Sequence, residues 1–135
     1  NGKNSEFHAA MGVVNLPYFK TILDRRKEQF LFYTSLLSGL EVQHQKITKD
    51  TEFNFAYYPI VFPTELYALK AKQALEAQDI FPRRYFYPSL SQLNFTNKMA
   101  TPVSDYIASR ILCLPLYHEL TEVEQELIAR ILLGL

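Results

Sequence analysis

The chain has 135 residues, of which 48% are hydrophobic and 21% charged, and its 14 basic and 14 acidic side chains cancel to a net charge of zero. A chain of this length buries roughly two-thirds of its unfolded-state surface, and the composition is that of one globular domain, not a disordered chain. The zero balance argues against a general nucleic-acid or anionic-membrane surface, both of which need a basic excess.

No apolar run approaches the roughly 18 residues of a membrane helix, and no secretory signal is visible. Cys113 is the only cysteine, so no internal disulfide forms, and its place in "ILCLPL" suits a buried, inert thiol. Together these features point to a reducing cytoplasm. A chain that opens on Asn1 is expected to be processed or truncated.

In chain order, Ser5 to Leu16 reads as a short helix, with Phe7, Ala10, Met11 and Val14 at three-to-four spacing. Pro17 interrupts it, by removing a donor and forcing a kink or a fresh start. A longer helix follows from Tyr18 to Ser38, with Phe19, Ile22, Leu23, Phe30, Tyr33 and Leu37 as its stripe and "DRRKEQ" on the wet side. Gly39 stands just past its end. Leu40 to Thr51 is polar and reads as a loop. Glu52 to Phe62 is aromatic and β-branched and reads as a strand, in which Pro59 suggests an edge or a bulge.

Pro63-Thr64 begins a helix running to about Gln78, and "IFPRRYFYP" reads as a second strand. "SLSQLNFTNKMA" has no period and is read as a long loop, of a length often functional in compact domains. Thr101-Pro102 is a helix start, with a capping hydroxyl and then Pro at the first helical position. "ILCLPL" is a short buried strand. "TEVE", Thr121 to Glu124, is a capping box that opens a closing helix. The order predicts an α+β fold, a small sheet with helices packed on it, in which residues 1–39 form a helical arm and residues 40–135 the α+β body. The arm looks in need of something else to pack against.

His8, His44 and His118 lack metal-ligand spacing, and no nucleophile elbow, phosphate loop or dinucleotide fingerprint occurs. The chain therefore offers no catalytic residue and no metal site of its own. Two stretches stand out. The opening "NGKNSEFHAAMG" brings amide and ammonium donors to a helix N-terminus, which suits an anion such as a phosphate; an ordinary cap by Asn4 or Ser5 explains the same residues. In "PRRYFYP", strand alternation sends Arg83, Tyr85 and Tyr87 to one face and Arg84 and Phe86 to the other. Arginine there can pair with a carboxylate or phosphate, or simply snorkel from a half-exposed strand.

Four blocks in this order resemble the C-terminal part of the DegT/StrS-type sugar aminotransferases, pyridoxal-phosphate enzymes of fold type I that act on nucleotide-linked keto-sugars. "NGKNSEFHAAMG" is similar to the family's G-x-N-x-[RK]-M-[ST]-E-x-x-A-A-x-G block, and "LDRRKEQFLFY" to the helix that follows it. "IFPRRYFYPSL" is similar to the strand leading into an aromatic-Pro-Leu segment, and "CLPLYHELTEVEQELI" to the closing signature. The match spans almost the whole chain.

The resemblance implies an enzyme in which a lysine of a large N-terminal domain holds pyridoxal 5'-phosphate and glutamate donates the amine to a ketone carbon of the sugar. That lysine, the cofactor-stacking ring and the carboxylate for the pyridine nitrogen are not in this sequence, so the cofactor domain is expected to be absent and the 135 residues alone to be inactive. Members work as homodimers with shared active sites. By resemblance, Asn1 reaches the cofactor phosphate of the neighbouring subunit and Lys3 is a further cofactor-side residue. Arg83, Tyr85 and Tyr87 are the substrate-binding candidates, with Tyr85 where many members carry a sugar-facing histidine.

The sequence departs from the pattern at Asn4, Ser91 and His118, where Met, a "P-L-H" histidine and a Pro are usual. The combination of "NGKNSEFHAAMG" with "RRYFYPSL" resembles members that aminate dTDP-4-keto-6-deoxyglucose or a 3-keto isomer. Neither nucleic acid nor membrane is an expected partner. The rival reading is a non-catalytic binding or scaffold module that keeps the small-domain fold.

Overall fold

The computed structural model describes residues 2–96 and 99–135. Helix α1 spans Glu6–Asn15 and is capped by Ser5, whose hydroxyl accepts from the His8 amide at 3.3 Å. Of the two capping candidates, Ser5 is the one used. Pro17 sits in a 3-10 turn, Leu16–Tyr18, that hands the chain directly to α2, Phe19–Leu36. Gly39 follows α2 in a turn but holds no left-handed conformation, since no glycine has a positive φ.

The sheet has three antiparallel strands in the order β1-β2-β3. Strand β1 is Gln43–His44, a short piece inside the polar segment read as a loop. Strand β2 is Tyr58–Val61 and β3 is Ile111–Leu114, in a register that sets Tyr58 opposite Leu114 and Val61 opposite Ile111. Helix α3, Glu65–Glu76, follows β2. Helix α4, Pro102–Arg110, leads straight into β3, and α5, Glu122–Leu133, closes the chain. The capping box forms as read, with the Thr121 amide donating to Glu124 Oε2 at 2.7 Å and the Glu124 amide to Thr121 Oγ1 at 3.3 Å.

Three expectations are corrected. The strand read over residues 52–62 pairs only from Tyr58. Ahead of it, the Ala56 amide donates to the Asn54 side chain at 3.1 Å and Phe55 takes a positive φ of 48°, a local turn that a ladder cannot use. The rings of Phe53 and Phe55 instead meet Phe30 of α2 edge-to-face, at 5.5 and 5.4 Å. Pro59 lies in the central strand, not at an edge. The Phe62 amide donates toward β3, to the Arg110 carbonyl at 3.0 Å, so alternation points the Pro59 nitrogen toward β1. The β1 ladder reaches only Ile60 and Val61, and the missing donor costs nothing there.

The third correction is the second strand, read over residues 80–88. It reduces to one hydrogen-bonded pair on the outer edge of β3, where Arg83 N donates to the Cys113 carbonyl at 3.0 Å and Cys113 N to the Arg83 carbonyl at 2.7 Å. Pro82 and Pro88 bracket this segment and supply no donors, so the chain turns away after one bridge.

The core lies between the sheet and helices α2, α3 and α5. Tyr33, Tyr58, Ile60, Leu75, Leu112 and Leu132 are fully buried there. Leu112 has no exposed surface at all, and truncation of such a residue costs about 2–5 kcal/mol. Helix α2 belongs to this core from Gln29 onward, because Gln29, Tyr33 and Leu37 are buried against α5. Helix α1 buries no residue.

Candidate functional site

Two proline-bearing corners build a cavity at the outer edge of β3. Beta strand β3 ends at Leu114, and Pro115 turns the chain outward through Leu116 and Tyr117. The bridge at Arg83 holds the other wall beside it. Between them opens a cavity of about 350 Å³ lined by Tyr57, Phe81, Arg83, Tyr85, Cys113 and Tyr117, among others. The Tyr117 loop is fixed from below by Gln29, whose Nε2 donates to the Tyr117 carbonyl at 2.8 Å and the Leu120 carbonyl at 2.9 Å.

Arg83 and Tyr85 come together as the residue pattern suggested, the Arg83 guanidinium donating to the Tyr85 hydroxyl. Tyr57 meets the Tyr85 ring edge-on at 5.5 Å. Tyr87 does not join this pair. Strand alternation fails after the single bridge, and the Tyr87 ring lies under the Arg84 guanidinium at 3.5 Å. Arg84 itself reaches Glu65 Oε1 at 3.0 Å and the Ser109 carbonyl at 2.8 Å, which makes it a strut between α3 and α4.

Burial pushes the Cys113 thiol up, against a smaller opposing effect of a backbone hydrogen bond with Tyr85. The thiol stays protonated and makes a poor nucleophile. Burial and then the nearby Glu124 and Glu119 carboxylates push the Tyr117 hydroxyl up as well, so it serves as a hydrogen-bond donor. The cavity thus presents one guanidinium and three phenols, a set suited to an oxygen-rich or anionic ligand. Among the described residues no lysine lines it. Lys3 is exposed, ahead of the Ser5 cap and outside any helix or strand. Asn1 lies outside the described residues.

Among the described residues, no group of three or more His, Cys, Asp or Glu could hold a metal ion, and no helix is long and apolar enough to cross a membrane. Tyr57, Phe81 and Tyr117 were not singled out from the sequence. Tyr117 carried a signal, since it stands in the closing "CLPLYHE" block; Tyr57 was hidden in a stretch read as plain strand.

The model of the DegT/DnrJ/EryC1/StrS aminotransferase family matches residues 1–133. The chain belongs to that family. It is 30% identical over 145 aligned residues to an Escherichia coli dTDP-4-amino-4,6-dideoxy-D-glucose transaminase, covering 99% of this chain and 38% of the relative. A Shigella dysenteriae protein of the same name is 34% identical over 133 residues, covering 90% and 35%. Among solved structures, a Bacillus cereus ATCC 10987 chain provisionally assigned as a PLP-dependent aminotransferase superposes with a TM-score of 0.83 at 29% identity, over 98% of this chain and 37% of that one. The chain therefore spans little more than a third of the curated relatives it matches. The fold agreement is that of an α+β aminotransferase domain.

Proposed function

We propose that this chain is the C-terminal small domain of a pyridoxal-phosphate-dependent aminotransferase. The full protein passes an amino group from glutamate to a dTDP-linked 4-keto-6-deoxyhexose and works as a homodimer with shared active sites. The observation that carries this reading is the alignment of 99% of the chain, at 30% identity, with a transaminase named for the corresponding amino-sugar. The cavity supports it through the chemistry of its walls.

Pyridoxal phosphate, when bound, stores the amino group between the glutamate and sugar half-reactions. The residues of this chain serve binding and orientation. Arg83 spends one donor on Tyr85 and keeps others for the sugar or its diphosphate. Tyr85 accepts from Arg83, which leaves its own O–H to donate to a sugar oxygen. Tyr87 stands apart from this wall, with its ring under the Arg84 guanidinium. Asn1 and Lys3 serve the cofactor phosphate across the subunit boundary.

The test is the full-length protein with glutamate and dTDP-4-keto-6-deoxyglucose, followed by formation of 2-oxoglutarate and the amino-sugar. Arg83→Ala is expected to lower kcat/KM for the sugar by roughly 10- to 100-fold, the loss of a hydrogen bond to a charged group, while glutamate still reacts with the bound cofactor. Absence of any transfer would favour a non-catalytic module that keeps the fold.

A further inference from the structure

One turn of α4 holds both ends of the segment that presents Tyr85. At one end, Arg84 Nη2 donates to the Ser109 carbonyl at 2.8 Å. At the other, a single oxygen of Asp105 accepts from Ser89 Oγ, from Ser91 Oγ at 2.8 Å and from Thr101 Oγ1 at 3.3 Å. Residues four apart on a helix share a face, one above the other. The two ends of the 85–88 turn are thus pinned at points one helical turn apart, and α4 acts as a template for the turn.

Helix initiation alone does not account for this cluster. Thr101 occupies the N-cap of α4, yet its hydroxyl bonds no helix amide. It donates to Ser91 Oγ at 2.8 Å instead. The Ser89 and Ser91 hydroxyls, with a smaller contribution from Thr101, hold the Asp105 carboxyl below its usual range. The acceptor is therefore an anion at neutral pH and the bonds to it are charge-assisted.

The part so held is a shared wall. Tyr85 lines the 350 Å³ cavity together with Arg83, and it also lines a second cavity of about 530 Å³ against Ser91, Val103 and Ile107. A shift of the Ser89 end would move Tyr85 relative to both. We infer that Asp105 is a positioning residue for the sugar half-reaction, fixing the 85–91 segment so that the Tyr85 hydroxyl stays on Arg83 and faces the substrate. This inference rests on the aminotransferase reading above.

The experiment uses the full-length, cofactor-loaded protein and measures the two half-reactions separately by the cofactor spectrum. A second readout is calorimetric binding of dTDP-4-amino-4,6-dideoxyglucose to the cofactor-free protein. Asp105→Ala is expected to lower kcat/KM for the sugar about tenfold, mostly through KM, and to weaken product binding by a similar factor, as small misplacements in a site do. The glutamate half-reaction should stay within about twofold of wild type, since the clasp touches only the sugar wall. Asp105→Asn keeps one acceptor oxygen and should fall between the two, and Ser91→Ala should show a smaller loss of the same kind.

Parallel loss of both half-reactions, or unchanged sugar binding in Asp105→Ala, overturns the inference. If Asp105→Ala does not fold, the same selective loss must appear in Asp105→Asn and Ser91→Ala, and its absence there overturns the inference equally. A wild-type protein that fails with glutamate as well as sugar brings down the aminotransferase reading, and this inference with it. A wild type that completes both, matched by every variant, brings down this inference alone.

Discussion

Replacing Gln29 by Glu attacks the loop that carries Tyr117 into the cavity. Gln29 is 1% exposed, and its Nε2 donates to two carbonyls of that loop, at 2.8 and 2.9 Å. A carboxylate of the same shape would face those carbonyls as a third acceptor. Burial of this degree raises a carboxyl pKa by about 3–5 units, and an adjacent cation lowers it by about 1–3. The cation is present: Arg25 Nη2 donates to the same Leu120 carbonyl at 3.0 Å. Desolvation wins, by about 2 units, which is about 3 kcal/mol at pH 7.

The sign follows from the raised pKa. The introduced group contributes no penalty of charge below the unfolded value of about 4.3, and stability is lost as pH rises from there through the folded value near 6. Loss of one of the two donated bonds adds about 1 kcal/mol at any pH. Urea unfolding of the wild-type and Gln29→Glu chains at pH 7 and pH 4.5 reads the difference from the midpoints. A gap of equal size at both pH values, or a variant more stable at pH 7, refutes the assignment of Gln29 as a buried donor.

Thr121→Ala should destabilise the chain by about 1 kcal/mol, the ordinary cost of a lost N-cap. The Thr121 amide, and after it the Thr121 hydroxyl, hold the Glu124 carboxyl below its usual range. The hydroxyl's share of that contribution is present above the unfolded pKa and disappears as pH falls through the folded one, so the gap between the thermal melts of the two proteins should narrow on acidification while the pH-independent cap bond keeps it open. In the proposed full-length dimer, and on the proposed role of Asn1 at the cofactor phosphate, Asn1→Ala should weaken pyridoxal phosphate retention by roughly 1.5–3 kcal/mol, the worth of a hydrogen bond to a charged group. Dialysis against cofactor-free buffer, followed by the absorbance of what remains bound, measures it.

Helices were legible because their signals are local. The capping box at Thr121–Glu124, the Ser5 cap and the Thr101-Pro102 start each lie within four residues, and the structure forms helices at all three. Strands were less legible because pairing is decided at a distance. Nothing in "EFNFAYYPIVF" says that Phe53 and Phe55 have a better partner in Phe30 than in a neighbouring strand. Nothing in "IFPRRYFYP" says that only Arg83 will find β3. The site shows the same division. Arg83 and Tyr85 were visible as two polar groups two residues apart. Tyr57, Tyr117 and the Asp105 cluster were not, since the chain brings them in from three other segments. Tyr87 was misplaced by the alternation rule because the rule needs a strand longer than one bridge.

The first helix carries the remaining imbalance. Phe7, Met11 and Val14 are 84%, 63% and 66% exposed, and α1 buries none of its residues. A ten-residue helix is below the roughly 12–15 residues at which helices become even marginally stable alone in water. The Ser5 cap gives it about 1 kcal/mol of local support, against a backbone ordering cost of about 1–2 kcal/mol for each residue fixed. In the 135-residue chain by itself, the α1 amides should exchange with solvent almost as fast as a coil, while those of α2 beyond Gln29 are protected by burial against α5. The homodimer proposed above would cover this apolar stripe, so in the full-length protein hydrogen exchange should slow across Glu6–Asn15 and change little in α2. Protection of α1 equal to that of α2 in the isolated chain would refute this, because it would mean that the stripe is stable without a covering surface.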